Sequence, residues 1–329
     1  MLRLWLFLLL VIWLPDASGQ VSAPSFCGNQ NSSGFFEIEI DGARREFLLH
    51  IPDVSPGTSG LPLMINFHGF GDCAADYAES VGGYYGLNDL ADEAGFVVAY
   101  PQAMVREKGD PYWEPGDIGS DIEINDVSFV RLLVADIAAK MSIDHERVFA
   151  VGYSNGGMMA YDLACTAPDI FPAVGIMSGV MLGNTCASPD ATSIIHFHGI
   201  ADDVIPLDGS GDFPSVLENI EFWRDHNDIP AESLVTTSLE SGDVTRDFYA
   251  GGRENTAVAL YVINREYGKG GGHVWFSEAI DGLTPNQILW QFLLETSQPT
   301  PAPERVLQPG LQWLLLRGTR DLDDGSDSD

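Results

Sequence analysis

Gly152-Tyr153-Ser154-Asn155-Gly156 sets one hydroxyl between two glycines. It follows an apolar run, Val148–Val151, and opens a helical stretch, Gly156–Ala164. A strand–turn–helix of this kind is what a nucleophilic serine needs. The sharp turn lifts the hydroxyl off the sheet, the glycines let strand and helix approach, and the helix N-terminus favours developing negative charge. A serine at neutral pH also needs a base, and the base needs an orienting acid. In this context the chain order is serine, acid, histidine. His273, in Gly270-Gly271-Gly272-His273-Val274-Trp275, is the candidate base. His226 lies on the polar side of a helical stretch, and His196 and His198 come too early. Asp202 is the candidate acid, in the turn His198-Gly199-Ile200-Ala201-Asp202, with Asp203 its rival.

A tetrahedral intermediate needs backbone N–H donors. One is expected from Asn155, after the serine. The other is expected from Phe70, in the loop His68-Gly69-Phe70-Gly71 that follows the apolar run Leu63–Phe67. His68 and His198 read as turn-shaping residues. No P-loop, dinucleotide fingerprint, His-Glu-x-x-His or Cys/His cluster occurs, so neither a cofactor nor a catalytic metal is expected.

The elements that must position these residues are legible as alternating patterns. Phe35–Ile40 and Arg45–Ile51 alternate around Asp41-Gly42, which predicts a hairpin. Strands are expected at Leu63–Phe67, Phe96–Tyr100, Val148–Val151, Ala173–Met177, Ile194–Phe197 and Val258–Val262. Helices are expected at Leu87–Ala94, Val127–Met141, Gly156–Ala164, Val216–His226 and Pro285–Leu294. Apolar strands alternating with helices predict an α/β domain: a mostly parallel central sheet, helices on both faces, and an antiparallel hairpin at one edge. Parallel strands end on one side of a sheet, which is where the candidate residues then gather.

The remaining features concern location and partners. Residues 1–19 carry Arg3, the apolar run Leu4–Leu14 and Ala17-Ser18-Gly19, the pattern of a cleaved signal peptide. Its apolar run is short for a membrane span. Secretion is expected, to the extracellular medium or to the periplasm in a Gram-negative source. Four cysteines in an exported chain predict two disulfides. Cys165 and Cys186 bracket one helix–strand unit, leaving Cys27 with Cys73. Asn31-Ser32-Ser33 is a glycosylation sequon in a eukaryotic host. A formal net charge of −32 argues against nucleic acid and anionic membranes as partners. The catalytic domain is expected over 20–296. A Pro-rich linker and an acidic tail are expected over 297–329, with Leu311–Leu316 a small docked helix.

Together, Asn66-Phe67-His68-Gly69, Tyr100-Pro101, Gly152–Ala160, His198-Gly199-x-x-Asp202 and Gly271-Gly272-His273-x-Trp275 resemble the polyhydroxybutyrate depolymerase-like esterases. That family includes feruloyl and acetylxylan esterases of carbohydrate esterase family one, and the resemblance spans roughly residues 35–295. It implies an α/β-hydrolase fold, lidless or lightly covered, with no cofactor. It also implies hydrolysis of esters borne on polymers or oligomers, with Ser154, Asp202 and His273 in the catalytic roles. The Cys165–Cys186 pairing fits its pattern. Trp113, in the acidic segment Asp110–Asp126, and Trp275 become candidate substrate-binding residues. One departure stands out: Phe276-Ser277 follow Trp275 where many relatives have Pro-Gly. Feruloyl or acetyl esters on polysaccharide are the first expectation and polyhydroxyalkanoate the second. The short tail offers little room for the added binding domain of solid-polymer depolymerases. A non-catalytic binding protein would most simply lack a catalytic residue, and all are present.

Overall fold

A computed structural model describes residues 27, 35–40, 42–53, 60–105, 109–115, 126–265 and 272–297. The expected signal peptide, sequon, linker, acidic tail and Leu311–Leu316 helix lie outside the described residues, as do Gly270 and Gly271.

Strands β1 (Phe35–Ile40), β2 (Ala43–His50), β3 (Leu61–Phe67), β4 (Val97–Pro101), β5 (Ile143–Tyr153), β6 (Ala173–Met177), β7 (Ser193–Gly199), β8 (Val235–Leu239), β9 (Val244–Ala250) and β10 (Ala257–Ile263) form one sheet among the described residues. Their order is β1-β2-β4-β3-β5-β6-β7-β10-β9-β8. The six strands from β4 to β10 in that order are parallel. β1 and β2 pair antiparallel at one edge, with Ile40 opposite Ala43 across the expected hairpin. The expected antiparallel hairpin thus lies at one edge, and β9 and β8 add further antiparallel strands at the other.

Each parallel strand is buried on both faces, and the alternation of its side chains divides the core in two. Leu63, Ile65 and Phe67 face one side, where helices α3 (Asp126–Lys140), α4 (Asn155–Thr166) and α5 (Val216–His226) contribute Phe129, Met159 and Trp223. Met64, Val98 and Val151 face the other. There α1 (Ala74–Tyr77), α2 (Leu87–Ala94) and α6 (Pro285–Thr296) contribute Tyr77, Leu87 and Trp290. Helix α6 starts at a capping box between Thr284 and Gln287 with proline in its first turn. The disulfides Cys27–Cys73 and Cys165–Cys186 are both formed.

This arrangement is the α/β-hydrolase fold. β3, β5, β7 and β10 are mutually parallel, so the loops after them leave from the same edge of the sheet.

Candidate functional site

Four loops converge at that edge. Strand β5 ends at Tyr153, and α4 begins at Asn155. Ser154 alone makes the turn, at φ 53° and ψ −119°. A non-glycine residue rarely occupies this region, and such strain persists only where the surroundings impose it. Here two close backbone approaches do so. A Cβ at Gly152 would lie 2.1 Å from the Gly156 carbonyl oxygen, and one at Gly156 would lie 2.2 Å from that of Phe67. Only glycine allows β3, β5 and α4 to meet this closely. The Ser154 N–H donates to the Met177 carbonyl at 2.9 Å, which ties the turn to β6.

His273 Nε2 lies 2.9 Å from Ser154 Oγ, and its Nδ1 lies 2.8 Å from Asp202 Oδ2. Asp202 is buried, and its Oδ1 accepts the N–H groups of Val204 at 3.0 Å and Ile205 at 2.8 Å. The carboxylate is therefore fixed at one oxygen and free to hold the imidazole with the other. Asp203 is exposed. His226 bonds instead to the Asp190 carbonyl, at 2.9 Å.

The loop carrying His273 is clamped through three successive carbonyls. Tyr153 Oη donates to that of His273 at 2.8 Å. Ser178 Oγ lies 3.0 Å from the Val274 oxygen and 3.4 Å from that of Gly272. Tyr153 is the variable position of the serine motif, and nothing in its type announced this role. Burial raises its phenol pKa, so it stays a donor.

Asn155 follows the serine directly, and Phe70 lies in the loop after β3, which leaves from the same edge of the sheet. Asn155 is the first residue of α4, where an N–H has no intrahelical acceptor. Its side chain forms a reciprocal pair with the Trp113 backbone: Oδ1 accepts the N–H at 2.7 Å and Nδ2 donates to the carbonyl at 3.0 Å. The Trp113 indole N–H donates to the His68 carbonyl at 3.0 Å. Trp113 thus brackets the two loops that carry Asn155 and Phe70.

His68 supports the same loop from below. Its Nδ1–H donates to the Gly69 carbonyl at 2.7 Å, and its Nε2 accepts the Ala103 N–H at 3.1 Å. Burial lowers its pKa to about 4, so it is neutral. The Gly69 N–H is taken by the Asp72 carboxylate, whose pKa is raised by burial. The Phe70 ring is 53% exposed and stacks on Tyr112 at 5.5 Å.

The two tryptophans expected to touch substrate are core residues here. Trp113 is 0% exposed, packed against Phe67 and His68. Trp275 is 5% exposed, and its indole N–H donates to Asn286 Oδ1 at 3.0 Å. The Trp113 N–H thus braces the loop after β3, and the Trp275 N–H ties the segment after His273 to α6.

Behind Trp113 lies an ion pair that sequence reasoning missed. Arg45 and Asp126 meet at 2.9 Å with side chains 1% and 0% exposed. The guanidinium stacks 3.8 Å over Phe129, and Asp126 Oδ2 accepts the Glu114 N–H at 3.0 Å. Among the described residues of the acidic segment, Asp126 takes this place, and a run of acids gives no sign of which one does.

Such a site can transfer a proton from hydroxyl to imidazole and stabilise the resulting imidazolium. The N–H of Asn155, at the start of α4, has no acceptor within the helix and is a donor such chemistry can use. Among the described residues, no group of three His, Cys, Asp or Glu is placed to hold a metal ion.

Known proteins are similar to this chain in sequence and fold. NocK of Nocardia uniformis subsp. tsuyamanensis, named an esterase, is 33% identical over 277 residues, covering 77% of this chain and 78% of that protein. Feruloyl esterase C of Emericella nidulans is 29% identical over 224 residues, covering 68% of this chain and 76% of that protein. The solved acetyl xylan esterase from Aspergillus awamori shares the fold at TM-score 0.51 and 16% identity, covering 72% of this chain and 94% of that one. The family model for "Esterase PHB depolymerase" matches residues 47–220, a stretch that runs from within β2 into α5 and includes Ser154, Asp202 and the Phe70 loop. With more than half of its length under that model, the chain belongs to the PHB depolymerase esterase family.

Proposed function

We propose that the protein is a secreted serine esterase that releases feruloyl or acetyl groups from polysaccharide through an acyl-enzyme. One observation carries the mechanism: the unbroken chain from Ser154 Oγ through His273 to Asp202, at 2.9 and 2.8 Å. Ser154 Oγ attacks the ester carbonyl while His273 Nε2 takes its proton. The oxyanion is held by the N–H groups of Asn155 and Phe70. Collapse of the intermediate breaks the bond to the alcohol, which leaves with the proton from His273. Water, deprotonated by His273, then attacks the acyl-serine and frees the acid.

The substrate class rests on the relatives, which are named feruloyl esterase C and acetyl xylan esterase. The secreted location rests on the N-terminal sequence and on two disulfides, which persist in oxidising compartments.

An ester panel on the purified protein tests this reading. It compares acetyl, butyryl and feruloyl esters with hydroxybutyrate oligomers. Feruloyl or acetyl esters are expected to give the highest kcat/KM. Ser154→Ala is expected to lower kcat by at least ~10⁴-fold with the fold intact. Release of hydroxybutyrate above all other products would overturn the substrate class. Wild-type turnover in Ser154→Ala would overturn the mechanism.

A further inference from the structure

The proposed mechanism uses neither His196 nor His198, yet both are wholly buried directly behind Asp202. They sit on β7 and form a chain. Tyr161 Oη is 2.7 Å from His196 Nδ1, and His196 Nε2 is 3.0 Å from His198 Nδ1. His198 Nε2 is 2.8 Å from the Ile205 carbonyl oxygen. The direction of every proton follows from the last link. A carbonyl oxygen can only accept, so His198 Nε2 carries a hydrogen. Burial lowers the pKa of both imidazoles, so each carries one proton. His198 Nδ1 is then bare and accepts from His196 Nε2–H. His196 Nδ1 is bare in turn and accepts from the Tyr161 hydroxyl.

The carbonyl at the end of this chain belongs to Ile205, whose N–H donates to Asp202 Oδ1 at 2.8 Å. One residue therefore joins the chain to the acid. With Ile205 held at its carbonyl, its N–H holds Asp202 Oδ1, and Oδ2 is left turned to His273. The same His198 Nε2 comes within 3.5 Å of Asp202 Oδ2. Being neutral, His198 does not draw the carboxylate away from His273 as a cation would.

We infer that His198, locked as its Nε2–H tautomer by the chain running back to Tyr161, is the positioning residue that sets Asp202 for His273. The inference rests on the proposed serine mechanism. It differs from a packing role because it depends on where one donor hydrogen lies.

Two substitutions separate these roles. The amide of glutamine reaches the place of Nε2, whereas that of asparagine reaches only the place of Nδ1. His198→Gln is expected to keep kcat within about threefold of wild type. His198→Asn is expected to lose about 10- to 100-fold in kcat with KM within about twofold, short of the ~10⁴ that losing the orienting acid costs. Thermal melting of both variants establishes that they fold. Equal kcat in the two variants, whether both are active or both impaired, overturns the inference. A measurement on the unaltered protein guards against misfolding of either variant. In ¹⁵N-histidine spectra at neutral pH, His198 is expected to be neutral and protonated at Nε2. A proton at Nδ1 overturns the inference. Ser154→Ala in the same assay keeps the two levels apart. If it is inactive while His198→Asn matches wild type, only the positioning role fails. If it turns over normally, the mechanism itself fails.

Discussion

Three buried histidines define the site as much as the one that faces Ser154. His68 holds the Phe70 loop, and His196 and His198 lie behind the Asp202 loop. All three are held neutral by burial. The consequence for stability has a definite sign. The folded pKa lies below the ordinary value of 6.5, so between the two values the unfolded chain binds more protons. Stability is then full above about pH 6.5 and falls as pH drops towards the folded value. For His68, from 6.5 to about 4, the loss is on the order of 3 kcal/mol. Urea unfolding between pH 8 and pH 4 is expected to show this fall. His68→Gln is expected to flatten the slope by up to one proton equivalent. An identical slope in wild type and variant would contradict the neutral state of His68. His68, just past the end of β3, was legible as a turn residue, whereas His198, read as shaping a turn, is a residue of β7 paired with Val262, because the strand runs on to Gly199. Their tautomers were not legible, since these depend on Ala103 and Ile205, which only the fold brings near.

The elements carrying the reacting groups were legible because parallel strands are buried on both faces and write continuous apolar runs. β3, β6 and β7 contain the runs read as strands. β8 and β9 escaped the reading because Val235–Leu239 and Val244–Ala250 are half-exposed and rich in Thr, Ser, Arg and Asp. Their β-branched residues were the available signal. The Arg45–Asp126 pair was illegible for a different reason: β2 and the start of α3 are far apart in sequence. It joins β2 to α3 and, through Glu114, to the segment bearing Trp113. Removing one partner of a buried pair leaves an uncompensated charge. Arg45→Met is therefore expected to lose about 3–5 kcal/mol in denaturant unfolding. Because Trp113 brackets Asn155 and His68, kcat is expected to fall as well, under conditions where the variant is folded. A stability change below 1 kcal/mol would show that the pair does not anchor this segment.

At the scale of the whole molecule, one sheet edge gathers residues separated by more than a hundred positions: the hydrogen bond from Ser154 to His273 spans 119 residues. The scaffold makes this possible because parallel strands point their carboxyl ends the same way, so each loop needs only to be shaped, not carried across the fold. A net charge of −32 adds long-range repulsion of anions without touching this geometry. The central claim is that this convergence makes Ser154 the nucleophile. Its most direct test is reaction with a fluorophosphonate, followed by intact mass measurement and peptide mapping. The account predicts one adduct per chain, on Ser154, with labelling slowed at least ~100-fold in His273→Ala. A chain that stays unlabelled, or an adduct on any other residue, would contradict it.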